Sequence, residues 1–189
     1  MLKIGFIGCG NMGGALAKAA AKSDGQIYLS DFCVDKAEAL AQELLAEAVN
    51  NEFIAQNCDY IFLGVKPQIM ADVLGEIKPT LAKREQAPVL VSMAAGVKTE
   101  KIINELGADY PIIRIMPNTP VAVSGGMILY TLDGVDEAEE NDFLKFMSAA
   151  GRFDKLPEKL IDAGSALSGC GPAFVCQFIE ALADGGVAC

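Results

Sequence analysis

The sequence predicts an α/β protein: a Rossmann-like, doubly wound, mostly parallel sheet over residues 1–157, followed over residues 158–189 by the start of a helical domain. Three observations predict it. Short β-branched or apolar runs alternate with longer stretches whose apolar residues recur at three and four positions, the pattern of parallel strands joined by crossover helices. The first such unit carries Gly8-Cys9-Gly10-Asn11-Met12-Gly13 between its strand and its helix. From about Glu158 the pattern becomes continuously helical apart from a glycine-rich interruption.

Taken in order, the apolar run Leu2–Ile7 predicts the first strand and Met12–Ser23 the first helix. Gln26–Ser30, built on Ile27-Tyr28-Leu29, predicts the second strand, with Val34–Ala46 as its helix. Tyr60–Leu63, Val89–Ser92 and Ile112–Ile115 continue the strands, with helices expected at Gln68–Ile77 and Lys98–Glu105. Two more strands are expected near Met127–Tyr130 and Arg152–Leu156, separated by a helix over Glu137–Ala149.

Composition narrows the function. A chain of 189 residues, 52% hydrophobic, can bury a substantial core. With 15 basic against 25 acidic residues, a net charge of −10 and no basic run, it would repel a nucleic-acid backbone or an anionic membrane. There is no histidine, and the six cysteines show no C-x-x-C spacing. A zinc site or a histidine-based triad is therefore not expected, no metal is assigned, and the thiols are expected to be reduced, in the cytoplasm. Residues 1–21 carry Lys3 and an Ala17-Lys18-Ala19 reminiscent of a signal-peptidase site, but glycines at 5, 8, 10, 13 and 14 break the apolar run that a secretion signal requires. Apolar stretches read as strand-length, well short of the roughly 18 residues of a membrane span, so none is expected.

The glycine run is informative through its position. Gly8 would allow the tight turn, Gly10 would let a pyrophosphate approach the backbone, and Gly13 would let the helix pack closely on the strand. The helix N-terminus, with Asn11 and Met12, would favour negative charge. At the end of the second strand, Ser30-Asp31 follows; Asp31 lies 18 residues after Gly13, near the usual spacing of about 20 for a carboxylate that accepts hydrogen bonds from a ribose diol and repels a 2′-phosphate. That favours NADH over NADPH. The alternative is that Asp31 caps the helix beginning near Val34, and the nearby cation Lys36 leaves room for a phosphate.

Three further segments fall where strands end, the ligand edge of a doubly wound sheet. They are Val65-Lys66-Pro67, Met93-Ala94-Ala95-Gly96 and Met116-Pro117-Asn118-Thr119-Pro120. Each alone reads as an ordinary turn; together, on one edge, they read as a site, with Asn118 or Thr119 able to hydrogen-bond a carboxamide or ribose.

Together with Ala166 to Pro172 and Glu180 to Val187, these segments resemble the pyrroline-5-carboxylate reductases, in that family's order and across essentially the whole chain. The Met-Pro-Asn-Thr-Pro loop and the Leu-Ser-Gly-x-Gly-Pro-Ala turn are the most specific. The resemblance implies hydride transfer from NADH or NADPH to the C=N bond of 1-pyrroline-5-carboxylate, giving proline. It places Gly8 to Gly13 at the pyrophosphate, Lys66 and Pro67 beside the adenosine, and Ala94, Gly96 and Asn118 along the nicotinamide. Ser168, Gly169, Cys170 and Gly171 would present N–H groups and a hydroxyl to the substrate carboxylate, whereas the plainer reading has Ser168 cap the helix near Pro172.

The chain departs from the family in three ways. Ser30-Asp31-Phe32-Cys33 stands where many members carry Ser-Asn-Arg-Thr, which strengthens the NADH reading. Cys170 replaces a serine, exchanging a hydroxyl for a weak thiol donor. The chain ends at Cys189, where members continue with a Gly-Leu-Pro-Arg turn and long helices that form the dimer and supply a threonine from the partner subunit. The resemblance thus implies a homodimer or larger assembly and an active site incomplete in these 189 residues. No catalytic acid is assigned, because a protonated imine accepts hydride directly. Two rivals stand beside this reading. A β-hydroxyacid dehydrogenase would need a lysine that Val175 replaces, and a catalytically incomplete module would hold a dinucleotide without turnover.

Overall fold

In the computed structural model, which describes residues 1–189, the chain runs as β1 (Lys3–Ile7), α1 (Asn11–Ala20), β2 (Gln26–Ser30), α2 (Val34–Leu44), β3 (Glu47–Ala48) and α3 (Asn51–Asn57). It continues through β4 (Tyr60–Leu63), α4 (Met70–Leu81), β5 (Val89–Ser92), α5 (Thr99–Leu106) and β6 (Ile112–Met116). After a 3₁₀ turn over Thr119–Val123 come β7 (Gly126–Asp133), α6 (Glu137–Phe146), β8 (Gly151–Lys155), α7 (Glu158–Ser168) and α8 (Gly171–Ala188).

The eight strands form one sheet in the order β3-β2-β1-β4-β5-β6-β7-β8. All neighbouring pairs are parallel except β6 and β7. After β3 the chain returns to the other side of β1, so the strand order reverses between β1 and β4 and a crevice opens beyond their carboxyl ends.

Both faces of the sheet are covered, and the side chains of β4 show why its sequence is a continuous apolar run. Phe62 points into a cluster with Phe6, Leu16, Phe143 and Phe146, while Ile61 and Leu63 point to the opposite cluster with Ile54, Leu74, Ile77 and Ile102. This is the alternation of a strand buried on both sides. The Phe6 and Phe62 rings stack with centroids 4.3 Å apart across β1 and β4.

Several boundaries differ from the sequence expectation. α4 begins at Met70 and runs through Pro79 to Leu81, whose side chain is buried and holds the final turn. α2 stops at Leu44 because Leu45 turns left-handed, with φ 54°. The periodic pattern over Glu137–Ala149 divides into α6 and a 3₁₀ turn at Ser148–Ala150. β3 and α3, two and seven residues long, were not foreseen. The cap of α3 is nevertheless written in the sequence: the Asn50 side chain accepts the Phe53 N–H at 2.8 Å.

α7 lies on β7, where only Ile161 is buried, against Met116 and Leu129. Gly164 makes that approach feasible, since a Cβ there would collide with the Leu129 side chain. α8 buries no residue and exposes Phe174, Val175, Phe178, Ile179 and Leu182. The stretch Glu158–Ala188, 31 residues with mean hydropathy 1.3 in its most apolar window, is long and apolar enough by composition to cross a membrane. This corrects the expectation of strand-length apolar runs only. Small polar and glycine residues interrupt the run in sequence, but the helices carry apolar side chains through it.

Candidate dinucleotide and substrate site

The glycine run occupies the β1–α1 turn, at the point of strand-order reversal. Gly8 has φ +105°, and a Cβ there would meet the carbonyl of Gly64, at the end of β4, at 2.6 Å. A Cβ on Gly13 would collide with the carbonyl of Gly8. These glycines are required by the protein itself, which brings β1, β4 and α1 together. Gly10 is different. Its φ of −67° is open to any residue, and nothing lies within 4 Å of where a Cβ would stand. No protein atom requires a glycine there; the open space in front of the α1 N-terminus does, if a phosphate is to approach.

Asp31 fastens this loop from the end of β2. Its Oδ2 accepts the Cys9 N–H at 2.7 Å and its Oδ1 the Cys33 N–H at 2.9 Å. Cys33, not Asp31, is the N-cap of α2, so the capping alternative does not hold. Burial first, and the neighbouring Asp31 charge second, push the Cys9 thiol up to about 12, so it is protonated at neutral pH.

A cavity of ≈ 940 Å³ opens beside the loop. Gly8, Gly10, Ser30, Asp31, Val65 and Lys66 all line it. Phe32, wholly exposed, stands at its rim together with Val34 and Ile69. Its charged lining is Asp31, Glu38, Asp72 and Glu76 against the single cation Lys66. Two contributors escaped sequence reasoning: Ser30 Oγ donates to Asn51 Oδ1 at 2.7 Å, and Asn51 Nδ2 donates to Glu76 Oε2 at 2.8 Å. Asn51 opens α3, an element too short to announce itself by periodicity. A second cavity, ≈ 450 Å³ around Leu2, Lys22 and Phe146, shares none of these residues.

The remaining predicted residues divide by environment. Asn11 is exposed at the start of α1, whereas Met12 is half-buried against the core. Pro67 is exposed and does not line the cavity; its carbonyl accepts the Met70 N–H at 3.4 Å. Ala94 is buried, and Gly96 turns left-handed with φ +72° into open space. Asn118 spends both ends of its amide on the protein: Nδ2 donates to the Ser168 carbonyl and Oδ1 accepts the Met127 N–H, each at 2.9 Å.

Asn118 therefore brings the Ser168–Gly171 turn to the ligand edge of the sheet. Ser168 ends α7 and donates its hydroxyl to the Gly164 carbonyl at 3.2 Å, so it does not cap α8. The Gly169 N–H is taken by the Ser165 carbonyl at 2.8 Å. Cys170 is the N-cap and Gly171 the first residue of α8, and the Cys170 N–H donates to no protein acceptor. Of the four predicted contributors, Cys170 retains a free backbone donor at a helix start.

A third group was also missed. Arg114, fully buried on β6, pairs with Glu158 at 3.2 Å and Asp162 at 2.6 Å on α7. An arginine inside an otherwise apolar strand, with acids four residues apart on a later helix, was the available signal.

Known proteins share this fold. Residues 3–96 match the family model for NADP oxidoreductase, coenzyme F420-dependent, and residues 158–189 match that for pyrroline-5-carboxylate reductase dimerisation. Pyrroline-5-carboxylate reductase of Escherichia coli (strain K12) is 40% identical over 191 residues, covering 98% of this chain and 70% of that protein. The chain belongs to the pyrroline-5-carboxylate reductase family. Another family member, from Aquifex aeolicus, is 35% identical over 98% of this chain and 69% of its own length. A solved pyrroline carboxylate reductase from Plasmodium falciparum with NADP bound superposes with TM-score 0.85 at 32% identity, covering 99% of this chain and 70% of that one. The reductase from Coxiella burnetii gives TM-score 0.90 at 30% identity over 98% and 70%. As a member of this family the chain is an oxidoreductase. The dimerisation match falls on α7 and α8, the helices that carry the exposed apolar side chains.

Proposed function

We propose that the chain reduces the C=N bond of 1-pyrroline-5-carboxylate to L-proline, the last step of proline synthesis, and that NADH is the preferred reductant. The observation that carries this reading is the Asn118 amide, which ties the Ser168–Gly171 turn to the strand edge bearing the glycine cradle. When bound, the nicotinamide supplies a hydride to the ring carbon of the protonated imine, whose nitrogen takes the electron pair of the C=N bond. The protein orients the two ligands. The free Cys170 N–H at the start of α8 suits the substrate carboxylate, and the open space at Gly10 suits the pyrophosphate. No side chain is assigned as an acid.

The NADH preference rests on the cavity's charge. Four carboxylates face one lysine, an environment that disfavours the extra phosphate of NADPH. The apolar face of α8, with Phe174, Phe178 and Leu182, is taken to be covered by a second copy, giving a homodimer or larger assembly, in keeping with the dimerisation match. Six free cysteines fit a reducing compartment, and we place the enzyme in the cytoplasm. A steady-state assay of NADH oxidation with pyrroline-5-carboxylate tests the reaction: turnover with a higher kcat/KM for NADH than for NADPH is expected. Saturable NADH binding with no turnover would overturn the reductase reading, and tighter use of NADPH would overturn the cofactor preference alone.

A further inference from the structure

Arg114 pairs in register with Ser92 of β5 and Thr131 of β7, and its side chain is almost completely enclosed. An enclosed guanidinium is strongly unfavourable unless its charge is met. Here both partners come from one helix: Nη1 reaches Glu158 Oε1, on the first residue of α7, and Nη2 reaches Asp162 Oδ1 one turn later. Glu158 Oε1 also accepts the N–H of Thr99 at 2.9 Å, at the start of α5, directly after the loop that carries Gly96. At the far end of α7, Asn118, four residues beyond Arg114, holds the Ser168 carbonyl. One strand and its following loop thus grip α7 at both ends, while its packing contributes a single buried side chain, Ile161.

Arg114 Nε has no hydrogen-bond partner. Stability alone would favour an apolar residue at such a position over a charge left partly unsatisfied. What the guanidinium adds is geometry: a planar fork that fixes two carboxylates, and with them the rotation and height of α7.

We propose that Arg114 is a positioning residue. Through Glu158 and Asp162 it sets α7, and hence the placement of the Ser168–Gly171 turn against the cofactor edge, without touching either ligand. The proposal rests on the reading that this turn holds the imine substrate. It also assigns a role to Glu158 beyond the ion pair, since the same oxygen links α7 to the loop on the nicotinamide side.

The test uses Arg114→Met, Arg114→Lys and Glu158→Gln in the full chain. With wild type turning over, Arg114→Met is expected to raise KM for pyrroline-5-carboxylate tenfold or more and to lower kcat, while the Kd of NADH stays within twofold. Arg114→Lys, which keeps the charge but not the fork, should fall between, and Glu158→Gln should shift KM in the same direction should Arg114→Met not fold. Amide hydrogen exchange needs no turnover and reads the helix directly: exchange at Gly169 should speed in the variants while Gly14, bonded to Gly10, stays protected. Unchanged Gly169 exchange, or KM and NADH affinity both unmoved while only the Tm falls, would overturn the positioning role. Faster exchange in the variants beside a wild type without turnover would instead leave the clamp standing and overturn the reductase reading.

Discussion

Asp31 accepts the backbone N–H of Cys9 at 2.7 Å, so the residue expected to read the cofactor ribose also holds the phosphate loop in place. The second oxygen is engaged by Cys33 N–H, and a carboxylate has about four acceptor sites in all, which leaves capacity for a ribose diol.

Asp31→Ala is accordingly expected to weaken both cofactors, but unequally. NADH loses the loop anchor and the ribose contact; NADPH loses the anchor and gains relief from charge repulsion. A rise in Kd of about ten- to a hundredfold for NADH, larger than that for NADPH, corresponds to roughly 1.4–2.8 kcal/mol. Fluorescence titration of the two cofactors measures it, and an equal loss for both would confine Asp31 to its structural task.

Gly10 and Gly13 differ in what an added methyl would touch. Gly10→Ala meets no protein atom within 4 Å, so the Tm should hold within the scatter of surface substitutions, about 0.5 kcal/mol, while dinucleotide affinity drops. Gly13→Ala collides with the Gly8 carbonyl and should destabilise the fold by about 1–3 kcal/mol whether or not cofactor is present. Thermal unfolding with and without NADH separates the two cases.

Phe32, fully exposed at the cavity rim, has no contact in the protein that accounts for it. If adenine stacks there, Phe32→Ala should raise the NADH Kd severalfold, about 0.5–1.5 kcal/mol, and leave reduced nicotinamide mononucleotide, which has no adenine, unaffected. Equal effects on both would move the aromatic away from the adenine.

The Cys9 thiol, pushed up to about 12 by burial and by Asp31, deprotonates only at strongly alkaline pH. Because the thiolate is the reactive form, Cys9 should resist iodoacetamide at pH 8 while exposed Cys33 is alkylated. Mass mapping of the modified cysteines checks this, and rapid labelling of Cys9 in the folded protein would contradict it.

Much of this architecture was legible in the sequence, because strands such as Tyr60–Leu63 and Val89–Ser92 are buried on both faces and show as unbroken apolar runs. β3 and α3 were not, since two and seven residues carry no usable period, and with them Asn51 and Glu76 were missed. The glycine loop was readable because turn geometry dictates glycine locally. Asn118 shows the limit of such reading: its position beside the site was apparent, but its two hydrogen bonds run to Ser168 and Met127, partners that only the fold brings near. The Arg114 cluster has the same character, since its acids lie 44 and 48 residues away in sequence.

The close approach of Gly8, Gly13 and Gly64 has a kinetic corollary. At the proposed cofactor site these three glycines meet backbone against backbone and have no side chain to reorient when a dinucleotide arrives. Binding then spends little conformational entropy at the pyrophosphate. Association should proceed at a rate governed by diffusion and the repulsive charge of the cavity, with a pronounced acceleration as added salt screens that charge.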